Sequence, residues 1–212
     1  YISVFESCMS TGVLRNYCNA LGSQDREAAD VTLSMAKVIY RVMAVLMAIV
    51  GVVVLFAFRR FYASSFSAAE MKESSAILLL LFANMMVTML GSVYLTILTG
   101  HEKFTFLKVL AIIIQVAQPF FVILCVRKIP YAITVSTVIV VLNVLTVLMR
   151  YLYVTHKLKI KIVKKKKNRK VIREIVGLSA TILLGCIADQ IFWKTDQVIL
   201  GKLFSTAVVA VY

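Results

Sequence analysis

Charged residues are scarce in this sequence, and acidic residues are the scarcest of them. Only 16% of the 212 residues are charged, 61% are hydrophobic, and the mean hydropathy is +0.90. A soluble domain is about half apolar and about a quarter charged. The composition therefore excludes an ordinary water-soluble fold and predicts an integral membrane protein.

Cysteine and histidine are also few, and their positions exclude the common metal and redox motifs. All four cysteines fall in apolar stretches, and no two have the spacing of metal ligands or of a redox pair. They are interpreted as free, buried thiols. The two histidines lie far apart and suggest no catalytic group, so we expect no metal, no cofactor and no enzymatic activity. These residues are Cys8, Cys18, Cys125, Cys186, His101 and His156.

Long runs without any charge fill most of the chain. The longest, Ser74–Gly100, has 27 residues, and about 20 apolar residues cross a bilayer as a helix. The runs are continuous rather than alternating, which favours helices over barrel strands. The prediction is an all-α, polytopic helical membrane protein, with a seventh segment beginning near Ser205. The first six predicted segments are Tyr1–Ala20, Met35–Phe58, Ser75–Leu98, Phe106–Val126, Pro130–Val154 and Ile175–Thr195.

Basic residues are concentrated in one connection, between Arg150 and Arg173. This stretch has 11 Lys/Arg and no acidic residue, and short loops rich in Lys/Arg stay cytoplasmic. Alternation then places 15–41 and 101–108 inside as well, giving 17 basic residues inside and seven outside. We expect Lys164, Lys165, Lys166 and Lys167 to contact anionic lipid headgroups. Nucleic acid is not an expected partner, because no aromatic platform accompanies the lysines.

Arg15 lies in the first apolar segment, about 8–10 Å inside its cytoplasmic end. Its helical face carries small or polar residues, which suits tight helix packing or the wall of a water-filled cavity. Alternatively, Arg15 snorkels to the inner headgroups. Glu6 points elsewhere and cannot pair with Arg15, so each needs another partner, and a partner beyond this chain is one alternative. The residues on the Arg15 face are Cys8, Thr11, Cys18 and Asn19.

Asp189 is the deepest charge of the last long segment. It lies 15 residues after Glu174, about 22 Å along an ideal helix and past the midplane of a hydrocarbon core of about 30 Å. Lys194 and Asp196 reach the outer interface, where Trp193 can anchor the helix. Either this stretch is simply a helix end, or Asp189 belongs to a polar cavity wall.

Three stretches resemble one protein family. They are "DQIFWKTDQVILGKLFSTAVVAVY" at 189–212, "LTGHEKFTFLKVL" at 98–110 and "LRNYCNALGSQDREAAD" at 14–30. They look like the seventh helix, the fourth inner loop and the second-to-third helix junction of polysaccharide and O-antigen flippases. These flippases belong to the multidrug/oligosaccharidyl-lipid/polysaccharide exporter superfamily. The chain, which begins and ends inside apolar segments, is then expected to be a fragment of a longer protein.

The resemblance implies a partial two-lobe exporter fold, from the end of helix two to helix seven. It divides the chain into the first lobe at 1–154, a cytoplasmic inter-lobe loop at 155–173 and the start of the second lobe at 174–212. The family flips polyprenyl-pyrophosphate-linked oligosaccharides across the cytoplasmic membrane through a cavity lined by helices one, two, seven and eight. Arg15, with Thr11 and Asn19, is then expected to contact the pyrophosphate. Asp189 is expected to balance charge or bind a coupling cation.

The sequence is also compatible with three other functions. A drug exporter of the same superfamily is favoured by a pair of intramembrane acids in the first lobe, which the sequence does not show. A polysaccharide polymerase or ligase needs a large outer loop, whereas the longest outer loop, 59–74, is short and has no histidine. A scaffolding membrane protein has no need of charges at two cavity-facing sites.

Overall fold

The computed structural model describes residues 2–61, 67–128, 131–160, 162 and 168–203. No strand occurs among these residues, so the predicted all-α fold is confirmed. The elements are α1 (Ile2–Gly22), α2 (Arg26–Phe61), α3 (Ala68–Gly100), α4 (Phe104–Lys128), α5 (Ala132–Leu152), a π-helical turn (Tyr153–Lys157) and α6 (Arg169–Leu203).

In the part of the chain that the structure describes, five helical stretches are long and apolar enough to cross a membrane, and the chain is a multi-pass membrane protein. Each overlaps one of the predicted segments. The first predicted segment corresponds to α1, which is not among the five because polar residues such as Arg15 and Asn16 interrupt it. The predicted seventh segment lies outside the described residues. The five stretches are Arg26–Phe61, Glu70–Gly100, Phe104–Lys128, Ala132–Lys157 and Arg169–Asp189.

Three connections meet at one end of the bundle, which we call the basic end: the α1–α2 turn, the α3–α4 turn and the segment after α5. They line a common cavity. Gln24 and Glu102 adopt left-handed backbone conformations, with φ of 54° and 56°, and let the chain reverse within three residues. Asp25 accepts a hydrogen bond of 2.9 Å from the amide of Ala28 and so caps α2.

Helix α3 is the central element, because it packs against α1, α2 and α5. Close approach depends on glycine at two points. Gly51 of α2 faces the ring of Phe82, and Gly91 of α3 faces Val147 of α5. At Gly91 a Cβ atom would lie 2.5 Å from a methyl group of Val147, so a side chain there would push the two helices apart.

Helix α4 lies at the edge of the bundle, where it packs mainly on α5. Leu110 is its buried residue, whereas Ile112, Val116 and Phe120 are each at least 60% exposed. In water such a surface would be a liability, but a helix facing lipid acyl chains requires it.

The connection between α5 and α6 is shorter than the predicted loop at 155–173. Helical structure continues through the π-helical turn to Lys157, and α6 starts at Arg169, where the side chain of Asn168 accepts hydrogen bonds from two backbone amides. The division into two lobes and a loop stays a prediction. The lysines at 164–167 lie outside the described residues.

Candidate functional site

Thr11, Arg15 and Asn19 lie at four-residue intervals on α1, and all three are exposed. We call them the polar strip. Thr11 donates its hydroxyl proton to the carbonyl of Ser7 at 2.9 Å. Arg15 forms no hydrogen bond or ion pair with any described residue. The polar strip therefore presents an unpaired guanidinium.

The four residues predicted to share the Arg15 face differ in exposure. Cys8 is 1% exposed and lies against α6, whereas Cys18 is exposed beside Arg15 and Asn19, so the interpretation of all four cysteines as buried thiols is wrong for Cys18. Cys8 lies only about 20° from Arg15 around a straight helix, so it shares that face, but α6 packs on α1 at the level of Cys8 and covers its side chain.

Asp189 is exposed on α6, which packs along α1. Gly12, three residues before Arg15, faces Ile175 and Ser179, so Arg15 lies near the level of Ile175 on α6. From Ile175 to Asp189 is about 21 Å along a helix. Arg15 and Asp189 thus lie on adjacent helices but at separate depths, and the structure does not bring them into contact.

Glu6 has partners within the described bundle, contrary to the alternative of a partner beyond this chain. Its carboxylate accepts a hydrogen bond of 2.7 Å from the hydroxyl of Ser92 on α3. The half-buried guanidinium of Arg150 on α5 interacts with it electrostatically, and the Nε atom of Arg150 is buried without a hydrogen bond. Tyr40 of α2 places a buried hydroxyl beside this group, near Ser10 and Thr96 but outside hydrogen-bond geometry.

We call Glu6, Tyr40, Ser92 and Arg150 the inner polar cluster. Sequence reasoning missed it, because its members come from four helices and Arg150 stands 144 residues after Glu6. In the sequence, Arg150 is simply the first basic residue of the connection between Arg150 and Arg173. The one available signal was that Glu6 needed a partner. The cluster fixes α1 to α3 and α5, which orients the polar strip away from the bundle core.

A cavity of about 700 Å³ opens at the basic end beside the polar strip. Asn19 lines it together with Asp25, Glu27 and Glu174. Three carboxylates repel a phosphate, so an anionic group is better placed near Arg15 than inside this cavity.

A second cavity of about 780 Å³ lies at the same end, between Tyr17, Asp30, His101 and Lys159. The hydroxyl of Tyr17 and Nε2 of His101 are 3.1 Å apart. Burial lowers the pKa of His101 below its ordinary value of 6.5, and the nearby charge of Lys103 lowers it further. The imidazole is therefore neutral at pH 7, and His101 serves as a hydrogen-bonding link between α1 and α3.

The model of one protein family matches residues 23–212, and that family is described as "Polysaccharide biosynthesis protein". This match covers most of the chain. The chain belongs to the polysaccharide biosynthesis protein family. No curated protein and no solved structure matches it.

The family match separates the predicted site residues into two groups. Asp189 lies inside the matched range, whereas the polar strip lies on α1, before residue 23. Membership assigns this multi-pass membrane protein to polysaccharide biosynthesis and leaves the roles of Thr11, Arg15, Asn19 and Asp189 as predictions. Among the described residues of this family member, no three His, Cys, Asp or Glu side chains are grouped as a metal site requires.

Proposed function

We propose that this protein is a flippase of the polysaccharide and O-antigen type. It moves polyprenyl-pyrophosphate-linked oligosaccharide across the cytoplasmic membrane and catalyses no covalent step. Family membership and five candidate spans support a membrane role in polysaccharide synthesis. The observation that carries the proposal is the polar strip, since the exposed Arg15 guanidinium has no partner among the described residues and is available to an anionic ligand.

The polar strip suits a pyrophosphate headgroup. The Arg15 guanidinium offers a planar fork of donors, which matches two phosphate oxygens at once. Asn19 lies one turn away and can donate from its carboxamide. Thr11, whose proton is bound to the carbonyl of Ser7, offers acceptor lone pairs to a sugar hydroxyl. A cationic surface of this kind lowers the cost of moving phosphate through hydrocarbon.

Asp189 has a separate task in this proposal. At about 21 Å from the level of Arg15 along α6, it cannot contact the same phosphate. We propose that Asp189 either balances positive charge in the cavity or binds a coupling cation. On this arrangement α1 belongs to the first lobe and α6 to the second, and rocking of the lobes exposes the polar strip to one leaflet and then to the other.

Orientation follows from the basic residues. We place the basic end on the cytoplasmic side, where positively charged loops remain. Lys164, Lys165, Lys166 and Lys167 then contact anionic headgroups of the inner leaflet, at about 1 kcal/mol for each lysine near the surface. The substrate enters from this side, because lipid-linked sugars are assembled on it.

The test is substitution of Arg15 in the full-length protein, expressed in its source cell with the upstream glycan enzymes intact. Arg15→Ala should cause lipid-linked oligosaccharide to accumulate and surface glycan to disappear, with protein level unchanged. Arg15→Lys keeps the charge but loses the fork, so transport should be reduced rather than abolished. Arg60→Ala is the matched control, since Arg60 is exposed at the opposite end of the bundle.

Normal surface glycan in the Arg15→Ala strain would remove Arg15 from substrate binding. Deletion of the whole gene decides the function itself. If deletion leaves surface glycan normal and no intermediate accumulates, a dedicated flippase is excluded. A drug exporter of the same superfamily then becomes the hypothesis to test.

A further inference from the structure

Helices α1 and α6 pack along a seam of small side chains. At Gly12 an added Cβ atom would overlap the hydroxyl of Ser179 and lie 3.1 Å from the carbonyl oxygen of Ile175. Only glycine fits there, so the two backbones approach closely. Ser179 itself is 1% exposed. The seam therefore holds the helices in a fixed register at this level.

Two cysteines meet on the same seam, between one and two turns further from the basic end. The Sγ atoms of Cys8 and Cys186 are 3.3 Å apart, and the Cys8 thiol donates a weak hydrogen bond to its neighbour. Cys8 is buried and Cys186 is half-buried. Both are free thiols, although they stand 178 residues apart in the sequence.

We propose that Cys8 and Cys186 form a redox-sensitive lock between α1 and α6. A sulfur–sulfur bond is about 2.05 Å long, so the two sulfur atoms must approach by little more than 1 Å. In the reaction the two thiols lose two protons and two electrons to a two-electron oxidant, and one sulfur–sulfur bond forms. With a diazene such as diamide, the nitrogen–nitrogen double bond takes up both protons and both electrons and becomes a hydrazine. A dithiol reductant reverses the reaction by thiol–disulfide exchange.

The disulfide would restrict movement between the two lobes, an inference that rests on the proposed function. If α1 and α6 belong to different lobes, their seam is a contact between lobes, and rocking must change it. A disulfide across the seam then holds the lobes in the arrangement described above. Reduced protein moves freely, whereas oxidised protein is arrested.

Formation of the disulfide between Cys8 and Cys186 is tested in the full-length protein, with a specific protease site inserted after Lys165. After diamide treatment in membranes and cleavage, the fragments carrying residues 8 and 186 should stay joined on a non-reducing gel and separate when a dithiol is added. Cys8→Ser and Cys186→Ser should each abolish the joined band. Cys18→Ser and Cys125→Ser are the matched controls and should leave it intact. If the two fragments of the unsubstituted protein separate on a non-reducing gel after diamide treatment, the proposed disulfide between Cys8 and Cys186 is wrong.

Whether the disulfide stops transport is tested by measuring transport of lipid-linked oligosaccharide in the same membranes. Diamide should nearly abolish transport by the unsubstituted protein, a dithiol should restore it, and Cys8→Ser should be insensitive to both. Continued transport by fully linked protein would overturn the lock. Failure of the reduced protein to transport would instead count against the flippase function, so the two failures are distinguishable.

Discussion

Arg15 and Arg150 have different surroundings, and we therefore interpret their roles differently. Arg15 is exposed on the polar strip and has no described partner, whereas Arg150 is half-buried beside Glu6. A buried charge is tolerated only when other groups compensate it. Arg150 is therefore interpreted as part of the support for the bundle, and Arg15 as available to a ligand.

The inner polar cluster predicts a loss of stability when Glu6 is removed. Glu6→Ala leaves both Ser92 and Arg150 without their acidic partner, at a cost of about 1–3 kcal/mol. Glu6→Gln keeps an acceptor for Ser92 and should cost less. Thermal unfolding of the full-length protein in detergent measures both. Ser7→Ala, at an exposed position on the same helix, should leave the midpoint unchanged.

A double-mutant cycle separates the cluster from a simple packing defect. Arg150→Met removes the charge that Glu6 compensates. The effects of Glu6→Ala and Arg150→Met should then be non-additive, with a coupling energy of about 0.5–3 kcal/mol. Strict additivity would show that the two groups do not interact in the folded protein.

At the scale of elements, α3 is the central helix of the bundle. Its contact with α5 depends on hydrogen bonds between polar side chains and on a glycine. Asn143 of α5 donates hydrogen bonds to the side chains of Asn84 and Thr88 of α3, at 2.7 and 2.8 Å. Further along, Gly91 lets Val147 approach the α3 backbone. Polar contacts fix the register here, and the glycine sets the distance.

Gly91→Ala tests the distance between these helices. The new methyl group would lie 2.5 and 2.9 Å from the two methyl groups of Val147, which we expect to cost about 1–3 kcal/mol through overpacking. Val147→Ala in the Gly91→Ala background should recover part of the loss. Gly185→Ala is the control, because nothing lies within 4 Å of its added Cβ atom. It should be neutral or stabilising by up to about 1 kcal/mol, and an equal loss at both glycines would contradict this account.

The sequence predicted the elements better than their contacts. Uninterrupted apolar runs predicted helices α2 to α6, because a segment inside a bilayer must form its backbone hydrogen bonds internally, as a helix does. The turn at Gln24 and the π-helical turn after α5 have no comparable signal. Partners such as Glu6 with Ser92, or Cys8 with Cys186, depend on which helices pack together, and spacing along one helix cannot show that. The polar strip was predictable because it lies on a single helix.

At the scale of the whole molecule, the ends of the bundle differ in charge. Asn168 lies at the basic end, where it lines the same cavity as Asp25. Ser67 precedes α3, whose 33 residues span about 50 Å and finish at the basic end. Ser67 and Asn168 therefore mark opposite ends of the bundle.

Accessibility of these two positions decides the orientation of the protein and of its site. In a full-length background with the native cysteines replaced by serine, Ser67→Cys and Asn168→Cys are treated in intact cells with a membrane-impermeant maleimide. Positive loops are retained inside, so Ser67→Cys should be labelled at once and Asn168→Cys only after permeabilisation. Labelling of Asn168→Cys in intact cells would place Arg15 near the outer leaflet, where no cytoplasmic lipid-linked sugar could enter beside it. The proposed direction of transport would then be wrong even if Arg15 binds the pyrophosphate.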